Sequence, residues 1–123
     1  MASLNRVQLI GRLGRDPEAR YTPKGTKIVT FTVAVDHHWR NAEGESQHET
    51  DWFNIEAWGK QGEICQQYLK KGRQVYLEGR LHTSRYEQDS ETKYFIKVIL
   101  SSMQMLDRKP EEEPVEVIEE ELV

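Results

Sequence analysis

The segment 51–82, DWFNIEAWGKQGEICQQYLKKGRQVYLEGRLH, reads as strand, helix, strand. From Asp51 to Trp58 the side chains alternate. Phe53, Ile55 and Ala57 fall on one face and Trp52, Asn54, Glu56 and Trp58 on the other. The spacing of Ile64, Cys65, Tyr68 and Leu69 predicts a helix over Gln61 to Leu69. Lys70 and Lys71 suit the negative end of its dipole, and Gly72 suits the position just past its end. Alternation returns from Gln74 to His82, with Val75, Leu77, Gly79 and Leu81 inward.

Two strands are expected upstream. Asn5 to Leu13 mixes apolar and polar residues, and Ile28 to Val35 puts Val29, Phe31, Val33 and Val35 on one face. Between them, Asp16-Pro17 and Pro23-Lys24-Gly25 mark a turn region. Lys93 to Met105 supplies a long last strand. Residues 36–50 and 83–92 are polar and read as protruding loops. Three strands, one helix and two strands is the order of the OB-fold, a five-stranded, partly open Greek-key barrel. Another small β-barrel or sandwich fits the same pattern.

The 123 residues are one domain's worth of chain. Their net charge of -4 is unevenly placed. Residues 1–106 hold 15 Lys and Arg against 13 Asp and Glu, whereas residues 107–123 hold 2 against 8. The expectation is a slightly basic folded body, 1–106, and a disordered acidic tail, 107–123, whose DRKPEEEPVEVIEEELV cannot build a core. A single cysteine, Cys65, excludes an internal disulfide. The opening MASLNRVQLIGRLGR has arginines inside its apolar run and does not read as a secretory signal. The longest apolar-leaning stretch is far too short to span a bilayer. A cytoplasmic setting without membrane attachment is the expectation.

The two tryptophans of 51–58 lie on the face with polar residues at its centre. A large apolar side chain gains about 1.5–3 kcal/mol from burial, so two wet indoles need something to cover them. Covering groups include a subunit interface, a loop or a nucleobase, which stacks on an aromatic ring for about 1–3 kcal/mol. Trp39 beside Arg40 and Tyr86 beside Arg85 place an aromatic and a cation in each polar loop, the pairing that holds a base and its phosphate. Arg6, Arg12, Arg20, Lys60, Lys70, Lys71, Arg73, Arg80 and Arg85 form a candidate track for a phosphate backbone.

Enzymatic readings find little support. His37, His38 and His48 with Asp36 and Glu49 match no metal-ligand spacing, so no metal and no cofactor are expected. No nucleophile elbow and no Walker-type glycine loop is present. An OB-fold adaptor that binds proteins first, and an RNA-binding chaperone on the same fold, are the non-enzymatic rivals.

The segments NRVQLIGRLGRDPEARYTPKG, HHWRNAEGE, TDWFNIEAWGK, QQYLKKGRQVYLEGRL and MQML run in order from Asn5 to Leu106. In them the chain resembles the bacterial-type single-stranded DNA-binding proteins. That resemblance implies a non-enzymatic OB-fold protomer, assembled as a homotetramer, that wraps single-stranded DNA without strong sequence preference during replication, recombination and repair. It implies base stacking on Trp39, Trp52, Trp58 and Tyr86. Position 58 is often phenylalanine and position 86 often tryptophan in the family. Lys60, Lys71 and Arg85 fall on basic backbone contacts, while Ser84 replaces a residue that is basic in some relatives. Asn5, Val7, Leu9 and Phe53 fall at subunit contacts. The tail departs from the family's pattern of a long Gly/Pro/Gln-rich linker and an Asp-rich tip with phenylalanine. This chain ends IEEELV, so the tip that implies replication and repair proteins as partners is absent.

Overall fold

A computed structural model describes residues 2–106. The acidic tail, 107–123, and with it the expectations of disorder and partner binding there, lies outside the described residues. In chain order the elements are β1 (Val7–Leu13), β2 (Glu18–Tyr21), β3 (Lys27–Arg40), β4 (Ser46–Trp58), α1 (Gly59–Tyr68), β5 (Gln74–Gln88) and β6 (Glu91–Met105). The strand order is β1-β5-β6-β4-β3-β2, and β1 also pairs with β3. That last pairing closes β1, β3, β4, β5 and β6 into the five-stranded barrel expected for an OB-fold. The β4–β6 pairing is parallel, with Ile55 beside Val98 and Glu56 beside Ile99. The other pairings are antiparallel.

The expected alternation fills the barrel except at Leu81, which was expected inward but is exposed, because β5 there has run beyond the barrel into its arm. Val29, Phe31, Val33, Ile55, Ala57, Val75, Leu77 and Val98 are buried in one cluster. Closure demands a residue without a side chain at Gly11. A Cβ there would come within 2.3 Å of the Ala34 carbonyl oxygen, where β1 crosses onto β3.

The helix begins two residues before the expected start and ends at Tyr68, with Leu69 as its cap. The cap's N–H donates to the Cys65 carbonyl at 2.9 Å. Only half of the expected apolar face is covered: Cys65 and Leu69 are buried, whereas Ile64 and Tyr68 are exposed. Gly72 does not cap the helix. It takes a positive φ of 90° in the following turn, where its N–H donates to the Leu13 carbonyl at 2.9 Å.

Two expected loops are strands. β3 and β4 run on as a paired arm to Arg40 and Ser46. The Asn41 carboxamide oxygen, accepting from the N–H groups of Glu43 and Glu45 at 3.0 and 2.9 Å, makes the turn. β5 and β6 likewise pair out to Gln88 and Glu91. Asp89 and Ser90, with φ of 52° and 67°, form the two-residue turn that matches strand twist. The turn region 16–25 also contains a strand, β2, paired with β3.

Candidate nucleic-acid interface

The register defines one continuous outer face. On β4 it carries Trp52, Asn54, Glu56 and Trp58. Across the parallel pairing lie Phe95, Lys97 and Ile99 of β6, then Arg80, His82, Ser84 and Tyr86 of β5. Trp52 is 59% exposed, and Trp58 and Tyr86 are also exposed. The expected stacking residues Trp52, Trp58 and Tyr86 therefore share a face. Trp39 does not. It pairs with Gln47, while Trp52 pairs with Ala34, so alternation turns Trp39 to the opposite side of the arm. There it stacks on His37 with ring centroids 5.3 Å apart.

Each exposed indole has a seat. The Trp52 ring covers Gly14, where a Cβ would come within 2.3 Å of Trp52 Cζ3. The Trp58 indole N–H donates to Glu56 Oε1 at 2.7 Å. Glu56 itself corrects the sequence reading, which left it on a solvated face. It is 3% exposed. Lys97 Nζ donates to its Oε2 at 2.9 Å and Arg20 Nη2 to the same oxygen at 3.3 Å. Burial pushes the Glu56 carboxyl up. Hydrogen bonds from Lys97 and Trp58, and the charges of Lys97 and Arg20, outweigh it and hold the group below the usual carboxylate range.

The candidate cations divide. Arg20 reaches the aromatic face from β2, and Arg80 sits on that face of β5. Lys60 is exposed in the first turn of α1, two residues after Trp58, and Lys70 and Lys71 are exposed after the helix. Arg85 is exposed but on the other side of its arm from Tyr86. Arg12 donates to the Gly72 carbonyl at 2.9 Å. Arg6 pairs with Glu78 at 3.2 Å. It belongs to a network in which Gln8 and Tyr76 also bond Glu78, whose carboxyl is held low by Tyr76 first, then Gln8 and Arg6. Arg73 differs from the other candidates: it is buried, with its Nη2 3.0 Å from the Met105 sulfur.

Among the residues expected at subunit contacts, Val7, Leu9 and Phe53 are partly buried against the protomer's own core. The Asn5 carboxamide pairs with the backbone of Leu81, donating to its carbonyl and accepting from its N–H, each at 2.8 Å. β1 meets β3 only at Arg12 and Leu13, so Val7 to Gly11 present one strand edge without a partner among the described residues.

Sequence reasoning singled out neither Phe95, Lys97 nor Arg15, and gave Asn54 a face but no role. All four line a cleft of about 390 Å³ together with Arg20 and Glu56. The alternation Lys93, Phe95, Lys97 and Ile99 was the signal for two of them. No group of three or more His, Cys, Asp or Glu among the described residues is placed to hold a metal ion. His38 and His48 instead stack on each other across the β3–β4 arm, 5.3 Å apart. Among the described residues no helix is long and apolar enough to cross a membrane.

Residues 4–106 match the Single-strand binding protein family. The chain is 47% identical over 108 residues to single-stranded DNA-binding protein 1 of Chlorobaculum tepidum, covering 86% of this chain and 67% of that one. It is 44% identical over 110 residues to the single-stranded DNA-binding protein of Neisseria meningitidis, covering 89% and 63%. The chain thus spans about two thirds of the length of these relatives. Among solved structures, a Plasmodium falciparum SSB in complex with ssDNA superposes with a TM-score of 0.79 at 34% identity, covering 87% of this chain and 98% of that one. A deletion mutant of the Thermus aquaticus single-stranded DNA-binding protein gives 0.76 at 31%, covering 85% and 51%. By fold, by the tryptophan-bearing β4 and by these matches, the chain belongs to the single-strand binding protein family.

Proposed function

We propose that the protein binds single-stranded DNA without strong sequence preference and protects it during replication, recombination and repair, turning nothing over. The observation that carries this reading is the outer face on which Trp52, Trp58 and Tyr86 stand exposed on paired strands. Every base has a π-face, so such rings accept any sequence. A duplex hides those faces, and the site therefore favours unpaired strands. Arg20, Lys60, Arg80 and the basic residues beyond them follow the phosphates. Trp39, on the far side of its arm, meets a strand that wraps around the arm rather than crossing one face.

The working assembly is a homotetramer, supported by the strand edge at Val7–Gly11, which a second copy can extend by pairing. The setting is the cytoplasm, on the nucleoid.

The test is intrinsic tryptophan emission titrated with a single-stranded oligonucleotide, with duplex DNA and single-stranded RNA as comparisons. Quenching by the single DNA strand, weakening with a log–log salt slope of about -0.7 per phosphate contact, is expected. An equal response to duplex overturns the reading, and an equal response to RNA redirects it to RNA.

A further inference from the structure

The geometry points to a fifth base-stacking platform at Phe95, in a cleft that seats one unpaired nucleobase between Trp52 and Trp58. The inference rests on the single-strand-binding reading above and adds a subsite to it. Trp52 and Trp58 are six residues apart on β4, about 20 Å at roughly 3.3 Å per residue. Stacked bases lie about 3.4 Å apart, so a strand touching both indoles carries further nucleotides between them. The surface they cross is the cleft lined by Phe95, Asn54, Glu56, Lys97, Arg15 and Arg20.

Its chemistry suits a nucleotide. Phe95 is 45% exposed, although it lies on a paired strand beside Ser84. A phenyl ring with no polar tip gains nothing from water, and here it is the exposed aromatic wall of a concave site. Asn54, exposed on the floor, offers both a donor and an acceptor to a base edge. Arg15 and the 63%-exposed Arg20 side chain supply positive charge at the rim. Glu56 does not oppose a phosphate strongly, because Lys97 and Arg20 already neutralise it. In all, the lining carries three cations, Arg15, Arg20 and Lys97, against two carboxylates, Glu18 and Glu56.

The cleft is also continuous with the Trp52 site. Asn54 and Lys97 line it and also line the neighbouring groove walled by Trp52. On the other side, Glu56 ties it to the Trp58 indole. The parallel register that sets Ile55 beside Val98 brings Phe95 level with Trp52, one strand over, so a DNA strand entering the cleft from Trp52 meets the Phe95 ring.

The test compares the full chain with Phe95→Ala and Phe95→Trp, using a thymidine oligonucleotide and a fluorescent end label. Phe95→Ala is expected to weaken binding roughly 5- to 150-fold, the loss of one stacked base, with far-ultraviolet circular dichroism unchanged. Phe95→Trp is expected to keep the affinity within about threefold and to add emission that the oligonucleotide quenches. If the parent chain binds and Phe95→Ala stays within twofold of it, the subsite is overturned while the binding function stands. If the parent chain itself fails to bind, the functional reading falls first. Should Phe95→Ala misfold, the added emission of Phe95→Trp decides: quenching supports the subsite and unquenched emission overturns it.

Discussion

Trp58 donates its indole N–H to the carboxylate of Glu56, two residues earlier on the same face of β4, at 2.7 Å. The carboxylate that aims this ring is itself held by Lys97 and Arg20, so a buried charge and a stacking platform form one unit. Removing the carboxylate frees the ring and strands the Lys97 ammonium. Glu56→Ala is expected to lower stability by about 1.5–3 kcal/mol, the range for a hydrogen bond to a charged group, read from urea unfolding. Glu56→Gln keeps an acceptor for the indole and should retain more of the DNA affinity than Glu56→Ala.

The same unit sets an acid limit. The folded Glu56 carboxyl lies below its ordinary value, so its contribution is fully present above the unfolded pKa, near 4.3. That contribution is lost as pH falls through the folded value. The stability difference between the parent chain and Glu56→Gln should therefore be constant at neutral pH and shrink in acid. Chemical denaturation at a series of pH values from neutral to strongly acidic checks it. A difference that grows in acid contradicts the sign.

Trp52 is the most exposed of the tryptophans, so its ring contributes little to the core. Trp52→Ala should change stability by no more than about 0.5 kcal/mol and cost about 1–3 kcal/mol of single-strand affinity. Thermal melting and oligonucleotide titration separate the two effects. A large loss of stability would mean that Trp52 packs as core.

Gly14 gives a way to disturb Trp52 without touching it. A methyl group there would occupy the space of the indole tip and press on the Thr32 hydroxyl, 3.0 Å away. Gly14→Ala is expected to shift the tryptophan emission and weaken DNA binding by up to about 3 kcal/mol, one stacked base. Combined with Trp52→Ala it should add little, because both changes act on one ring.

The tail offers an electrostatic check. Deleting residues 107–123 removes 8 acidic and 2 basic residues. Single-strand affinity should rise at low salt and converge with that of the full chain near 1 M, where charges beyond about 3 Å are screened.

How far the sequence discloses this arrangement differs from element to element. The alternations at 28–35 and 52–58 place the core and the two β4 tryptophans because buried and exposed positions differ sharply in polarity. Past Val35 that contrast vanishes. His37, His38, Trp39 and Arg40 extend β3 on both faces without a core, so pairing partners rather than burial decide their conformation. The burial of Glu56 is invisible locally, since its cations come from 36 and 41 residues away. Phe95 and Lys97 were accessible to the same period-two reading that served β4.

The polar arms carry a dynamic consequence. Beyond the barrel, β3–β4 and β5–β6 are held by ladder hydrogen bonds and small cross-strand contacts such as the His38–His48 stack, not by a shared core. Segments of that kind open at a free energy well below that of global unfolding. Amide hydrogens of residues 37–48 and 83–92 should exchange with solvent faster than those of Val29 to Val33, and bound DNA should slow them. A bound strand can then be released one arm at a time, each local opening shedding a few nucleotides while the barrel stays shut.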